Sequence, residues 1–256
     1  MIKIKNTPNL AGVVISGDYD DLENLVTAFH LITINEYSEN HSDCIDISTR
    51  VLGLCYDIRH AYQGDREVEL VDNHMTVTLM KHHGIIVPTQ NVYYSCKYLY
   101  PEMVFVMLSL NELVLRRMID LTKGSYLFKD PLDKRYVWDQ TIATIRQFQS
   151  EFNICVKETL SEAAFARWIS FMNRGHIEIE NIAGQFIDVL NIKYIKMSKE
   201  KRLKSLSSMA KRIAEFRSDQ EHEEIWNVVM AAAQEYQCDP GEIRLHRVDY
   251  PESFAW

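Results

Sequence analysis

One apolar stretch, residues 103–121, limits what this chain can fold into more than any other feature of its sequence. It has the length of a long helix, but polar and charged residues interrupt it at Asn111, Glu112, Arg116, Arg117 and Asp120. A helix that crosses a membrane does not carry so many charges. We therefore predict a helix buried in the core of a soluble protein, with Met103, Met107 and Met118 packed inside it or along a dimer seam.

The residues on either side of position 100 differ in pattern. Short β-prone runs and turn signals occur before it, whereas apolar residues recur at helical spacing after Pro101. The 256 residues include only six prolines and nine glycines, which fits long helices and short connections. We predict a predominantly helical α+β fold, with a small N-terminal sheet and its helices packed on a larger C-terminal helical layer. The regions are residues 1–100 and 101–256, as two units or one continuous domain.

The N-terminal region begins with two β-prone runs, at residues 2–4 and 13–15, separated by a turn. Apolar residues then recur at helical spacing between residues 22 and 32. Asp18 or Asp20 is expected to cap this helix, and further carboxylates lie in its first turn. We interpret the acidic residues here as helix caps and a solvated face, and we expect no metal site.

The rest of this region has a less regular pattern. A second helix is predicted over about residues 49–62 and ends at Gly64. A strand with one solvated face follows at residues 67–70, and a short fourth strand is predicted at residues 85–87. Residues 75–83 fit a helix and a strand equally well.

The C-terminal region is predicted to contain helices almost throughout. Pro101 is suited to the first turn of the first helix, and Lys123-Gly124 is typical of its end. The later helices are predicted at residues 134–159, 163–172, 179–192, 198–216 and 220–237.

The charge distribution argues against a nucleic-acid-binding surface. The chain has a net charge of −8. Residues 193–217 carry a net charge of +7, and residues 218–256 a net charge of −7. We expect these successive segments to neutralise each other rather than to bind nucleic acid.

The cysteines and the missing motifs exclude several classes of protein. The five cysteines are widely spaced and form no CxxC pair, so we expect reduced thiols rather than disulfides or a zinc site. The sequence lacks the common phosphate-loop, dinucleotide, hydrolase and zinc-protease motifs. The first residues have no apolar signal segment. We predict a cytoplasmic protein without a cofactor or metal.

The most polar segment, residues 50–69, contains the candidate binding residues. Arg59 and Arg66 can bind an anion, and His60 can exchange a proton near neutral pH. The full candidate set for an anion or another ligand is Arg59, His60, Asp65, Arg66, Glu67 and His82. The alternative interpretation is that these charges form ion pairs that fix a helix-to-strand corner.

Several strings resemble an uncharacterised family of bacterial proteins. They are LAGVVISGDYDDL at 10–22, RVLGLCYDIRHAYQGDREVE at 50–69, HGIIVPTQNVYYS at 83–95 and YPEM at 100–103. The resemblance implies a bacterial cytoplasmic protein, and it carries no activity, cofactor or catalytic residue.

Two hypotheses about function follow. The first is a non-enzymatic interaction protein or scaffold, with self-association or a protein partner, because catalytic motifs are missing and residues 103–121 are strongly apolar. The second is an enzyme or binding protein for an anionic small molecule, because residues 59–67 bring mixed charges and a histidine together.

Overall fold

The computed structural model describes residues 1–33, 44–123, 133–173, 181–245, 250–251 and 253–256. Within them an antiparallel sheet of four strands has the order β1-β2-β4-β3. The strands are β1 (Lys3–Asn6), β2 (Gly12–Gly17), β3 (Glu67–Asp72) and β4 (Gln90–Leu99). β4 therefore lies inside the sheet, and β3 forms one edge.

Helices make up most of the remaining described structure, which confirms the predominantly helical α+β class. They are α1 (Tyr19–Ile32), α2 (Ile45–His60), α3 (Val77–His83), α4 (Tyr100–Thr122), α5 (Lys134–Val137), α6 (Gln140–Thr159), α7 (Glu162–Met172), α8 (Asn181–Ile195), α9 (Lys199–Ala214) and α10 (Gln220–Tyr236). None of the helices in the described ranges is long and apolar enough to cross a membrane.

Helix α4 is the central helix predicted from residues 103–121. It begins directly after β4, with Pro101 in its first turn, and Met103 and Met107 are buried in the core. It contacts α2, α8 and α9. The core position predicted for this helix is confirmed. One hydrophobic cluster combines its side chains with those of the sheet, α1 and α6, so both sequence regions contribute to the same core.

The beginning of α1 was predicted correctly. The carboxylate of Asp18 accepts a hydrogen bond from the backbone N–H of Asp21 at 2.9 Å, and the Asp21 side chain accepts one from the N–H of Asp18. This reciprocal cap satisfies two donors at the helix start. The acidic residues Glu36, Glu39 and Asp43 of the same sequence region lie outside the described residues.

The fourth strand was predicted at the wrong place. Residues 85–87 form no strand, and Ile86 is 98% exposed. The sheet instead uses residues 90–99, where Tyr94 and Cys96 lie opposite Gly17 and Ile15 of β2. The run before Pro88 contains β-branched residues but pairs with none of the described strands. Its local preference for strand structure therefore had no effect.

The structure decides one ambiguous helix prediction and corrects another. The ambiguous residues 75–83 form helix α3, whose first turn is capped by the Thr76 hydroxyl. The single helix predicted over 134–159 is wrong, because it divides into α5 and α6. Asp139 causes the break, since its carboxylate caps α6 at the N–H of Ile142 and also binds Arg117 at 2.7 Å.

The charged segments after residue 193 neutralise each other in part, as expected. Arg212 donates hydrogen bonds to Asp219 at 2.6 Å and to Glu221 at 3.0 Å, and Lys193 pairs with the same glutamate. Arg202 is buried at the start of α9. These contacts pair or bury three of the positive charges of this segment.

Two glycines that face Tyr98 provide a test of the packing. A Cβ added at Gly12 would lie 1.9 Å from the carbonyl oxygen of Tyr98, whereas one at Gly53 would lie 3.7 Å from its hydroxyl. We expect Gly12→Ala to lower the free energy of unfolding by about 3 kcal/mol, because β2 and β4 must separate. We expect Gly53→Ala, within α2, to raise it by about 0.5–1 kcal/mol. Urea denaturation measures both, and equal effects would contradict this account.

Candidate functional site

A pocket of about 430 Å³ opens between α2, α4, α8 and the end of β4. Helix α2 contributes Arg50, Gly53 and Asp57, whose spacing of three and four residues places them on one helix face. Helix α8 contributes Asp188 and Asn191, which are also three residues apart. The opposite faces of these helices pack in the core, so the fold directs these polar residues toward the pocket.

Arg50 lies at the centre of the pocket floor. Its Nη1 donates hydrogen bonds to the two carboxylate oxygens of Glu102 at 3.2 and 3.3 Å. Nη1 and Nη2 bind the Asp188 carboxylate in a bidentate manner at 3.0 and 2.9 Å. Nη2 also donates to the carbonyl of Gly184 at 2.6 Å. One guanidinium therefore joins α2 to α4 and to α8.

Glu102 is the most buried carboxylate of this network. Burial raises the pKa of its side chain, while Arg50 and the Asn191 amide favour the ionised form. The hydrogen bonds resolved at its two oxygens are all donated to them, from Arg50 and Asn191. Glu102 also lies in the first turn of α4, where the helix dipole stabilises a negative charge. This geometry is that of an ionised carboxylate.

Asn191 has one satisfied and one unsatisfied end. Its Nδ2 donates to Glu102 Oε2 at 2.8 Å and to the Tyr250 hydroxyl at 3.0 Å. Its Oδ1 is buried and has no hydrogen-bond partner among the described residues. Only 1% of the residue is exposed. The pocket lining thus includes a residue whose buried acceptor is satisfied by no group of the described residues.

Aromatic side chains line the rest of the pocket, from Tyr98, Tyr250, Phe254 and Trp256. Burial, and then the nearby Glu102, raise the pKa of Tyr98 well above its ordinary value. Its phenol is therefore neutral at physiological pH. The pocket combines a charged floor with largely apolar walls, the composition typical of sites for small organic molecules.

Residues 253–256 are fixed beside the pocket by hydrogen bonds to their backbone. The carbonyl of Trp256 accepts from the backbone N–H and the side-chain amide of Asn9 at 2.8 and 2.9 Å. The carbonyl of Ala255 accepts from Arg202 Nη1 at 3.2 Å, and the same nitrogen donates to the carbonyl of Asn9 at 2.8 Å. Arg202 thereby holds the aromatic wall against the turn between β1 and β2.

The comparison with protein families covers almost the whole chain. Residues 2–256 match the model of a domain of unknown function, DUF6904. The chain belongs to this family. The resemblance to an uncharacterised family, seen mainly in residues 10–103, is confirmed and extends through the helical region of this DUF6904 member. No curated protein and no solved structure matches the chain.

The predicted polar corner of this DUF6904 chain lies beside the pocket. Arg66 donates to Asp57 at 2.9 Å, and Glu67 accepts from Lys97 at 2.6 Å. Asp57 and Lys97 both line the pocket, so the corner borders its rim. The alternative interpretation, that ion pairs fix this corner, agrees with these contacts.

The other candidate residues of the corner do not line the pocket. His60 Nδ1 lies 2.8 Å from the carboxylate of Asp65, and the Arg59 guanidinium lies 5.5 Å from the ring centre of Tyr56. His82 belongs to α3, beyond the far end of β3, and about 17 Å of strand separates that end from the corner. The structure therefore brings Arg66 and Glu67 to the pocket rim and leaves His82 apart.

Metal-ligand geometry was not found around the other candidate residues. The rings of His82 and His83 are 5.0 Å apart and nearly perpendicular. In the part of the chain that the structure describes, no three His, Cys, Asp or Glu side chains are grouped to hold a metal ion.

The residues of the pocket floor were missed by the sequence reasoning. Arg50 and Glu102 occur in two of the strings that carried the family resemblance, RVLGLCYDIRHAYQGDREVE and YPEM. Asp188 and Asn191 interrupt the apolar pattern of α8. Polar residues within otherwise apolar helix faces were the signal that could have indicated a buried network.

Removing Arg50 should destabilise the protein far more than removing Arg66. We expect Arg50→Met to lower the free energy of unfolding by about 3 kcal/mol, because it leaves Glu102 buried without its cation. Arg66→Met removes the same charge from an exposed pair and should have a much smaller effect. Urea denaturation of both variants measures the difference, and an equal loss would show that the Arg50 network is not structurally important.

Proposed function

We propose that this protein binds a small organic molecule in the pocket above Arg50. The observation that carries the proposal is the buried Oδ1 of Asn191, which lacks a partner within the described residues. Native proteins satisfy nearly all buried polar groups, and each one left unsatisfied costs about 1–3 kcal/mol. A ligand with a hydrogen-bond donor would satisfy this acceptor.

Three further features support a ligand site. The volume of about 430 Å³ lies in the usual range for small-molecule pockets. The Arg50 network holds its polar groups in fixed positions before any ligand arrives, which lowers the entropy lost on binding. The aromatic wall of Tyr98, Tyr250, Phe254 and Trp256 offers apolar surface to the body of a ligand.

Filling the pocket should abolish binding without changing its polar groups. Gly53 is an exposed position of α2 that lines the pocket, so Gly53→Phe adds a ring within it. We expect native mass spectrometry of gently isolated protein to detect a stoichiometric small molecule, and Gly53→Phe to lose it. Gly53→Ala is the matched control and should retain it. A protein that carries no small molecule, and that none of a broad metabolite library stabilises against heat, would refute the proposal.

A second candidate function is self-association through a largely exposed arm. The arm consists of residues 67–92, which contain β3, α3 and the beginning of β4. Apolar residues along it are exposed, namely Val68, Leu70, Val77, Leu79, Ile85, Ile86 and Val92. Val68 and Leu70 lie opposite Tyr94 and Val92 of β4, so they share one face of the sheet. Exposed apolar surface of this extent is typical of interaction sites.

The geometry of β3 favours a second copy of the chain as the partner. No described strand pairs with the outer edge of β3, so its backbone groups are available to another strand. An antiparallel two-fold pairing centred on Leu70 places it opposite the partner's Leu70. In this register Glu69 lies opposite the partner's Val71, so no two glutamates oppose each other. The apolar faces of the two arms then form one continuous surface.

A charge introduced at the centre of this pairing should prevent it. We expect the wild-type chain to sediment as a dimer and Leu70→Asp as a monomer, since two carboxylates would face each other. Val228→Asp places the same charge at an exposed apolar position of α10 and is the control. Analytical ultracentrifugation distinguishes the species. A wild-type monomer, or an unchanged dimer in Leu70→Asp, would reject this surface as the interface.

A further inference from the structure

The pocket floor has an excess of negative charge. Arg50 supplies one positive charge to two carboxylates, those of Glu102 and Asp188. The other charged lining residues, Asp57 and Lys97, are paired with Arg66 and Glu67 of the corner. Neither pair contributes net charge to the floor. The Arg50 cluster alone therefore leaves one negative charge, which complements a cation rather than an anion.

Asn191 adds a requirement for an N–H or O–H donor. Its Nδ2 is already used by Glu102 and Tyr250, so its amide orientation is fixed and Oδ1 can only accept. A simple carboxylate anion offers no donor to this oxygen. A cation without N–H groups would place methyl groups against it and leave it unsatisfied.

The aromatic wall selects an organic cation over a hydrated metal ion. Phe254 and Trp256 have ring centres 4.7 Å apart at an angle of 45°, and Tyr98 and Tyr250 complete the wall. Aromatic faces attract alkylammonium ions through their quadrupoles and pack against the attached carbons. A small inorganic cation that keeps its water shell gains neither contact.

We infer that the ligand of this pocket is an organic ammonium ion that carries at least one N–H, that is, a protonated primary, secondary or tertiary amine. The inference rests on the proposed ligand-binding function and names its substrate class. The ammonium group binds beside Asp188, Glu102 and the Asn191 oxygen, and the hydrocarbon part contacts the aromatic wall. This differs from the anionic ligand predicted from the corner, whose cations are already paired.

Four probes of similar size separate charge from hydrogen bonding. They are benzylammonium, benzyltrimethylammonium, benzyl alcohol and benzoate, each added at millimolar concentration and followed by saturation-transfer NMR. We expect benzylammonium to bind most tightly. Benzyltrimethylammonium should bind about tenfold more weakly because it has no N–H, and the alcohol and benzoate should bind more weakly still. Gly53→Phe should abolish each signal that comes from the pocket.

Two variants assign the binding to the named groups. Asn191→Leu should weaken the binding of benzylammonium by about tenfold. Asn153→Leu removes another buried and unpartnered amide oxygen, but outside the pocket, so it should leave this binding unchanged. Trp256→Leu should weaken it by about fivefold through the loss of the cation–π contact. This second variant keeps the test valid if Asn191→Leu does not fold.

The outcomes distinguish the assignment of an ammonium ligand from the proposal that the pocket binds a ligand at all. Benzoate or benzyl alcohol binding as well as benzylammonium, with loss in Gly53→Phe, would overturn the ammonium assignment while supporting a ligand pocket. The absence of a benzylammonium signal would also overturn the assignment. The native mass spectra of wild type and Gly53→Phe would then decide whether the pocket binds any small molecule.

Discussion

The contact of one guanidinium with two carboxylates connects the two halves of this fold. Arg50 belongs to α2 in the N-terminal region, while Glu102 and Asp188 belong to α4 and α8. Burying these charges is unfavourable unless all three meet in a bonded geometry. The hydrophobic packing of α4 against many neighbours is not directional, whereas this charged cluster requires a specific geometry. It therefore fixes how the helices meet, and the pocket above it exists only in that arrangement.

Arg202 has a similar function at the other side of the pocket. It is buried and donates to the carbonyls of Tyr194 and Ile195 as well as to those of Asn9 and Ala255. These acceptors lie at the end of α8, in the β1–β2 turn and in residues 253–256. A residue that the sequence places in a basic run thus satisfies backbone groups that would otherwise be buried without donors. Two arginines, one from each region, hold the floor and the wall of the same pocket.

Local patterns predicted the parts of the fold whose causes are local. Helix α4 has a long apolar pattern and Pro101 at its start, and α1 has a cap at Asp18, so both were found from the sequence. Strand β4 was missed because residues 85–87 have the stronger β-branched signal, although only residues 90–99 find partners in the sheet. The break before α6 was missed although the Asp139 carboxylate caps the helix locally at the N–H of Ile142; its bond to Arg117 of α4 is the part that the sequence does not show.

The difference between local and tertiary causes also explains which part of the site could be predicted. The corner residues are neighbours in sequence, so the sequence showed their clustering and indicated that they form ion pairs. Glu102 is separated from Arg50 by 52 positions and Asp188 by 138, and only tertiary packing brings them together. A carboxylate or amide on an apolar helix face has two explanations, a solvated edge or a buried partner. Choosing between them requires the positions of the other helices, and here two such carboxylates, Glu102 and Asp188, bind the same arginine.

The unsatisfied oxygen of Asn191 is unusual because the surrounding network is otherwise well satisfied. A purely structural role could be filled by a residue that donates to Glu102 without leaving a buried acceptor unsatisfied. The Tyr250 hydroxyl accepts from Asn191 Nδ2 and donates to Asp188 Oδ1 at 3.4 Å, so its proton is already used by another acceptor. The pocket lining therefore combines a residue with an unsatisfied acceptor, two carboxylates and an aromatic wall. An unsatisfied buried acceptor is costly for stability alone, and the cationic donor that we propose would offset this cost by binding only the folded state.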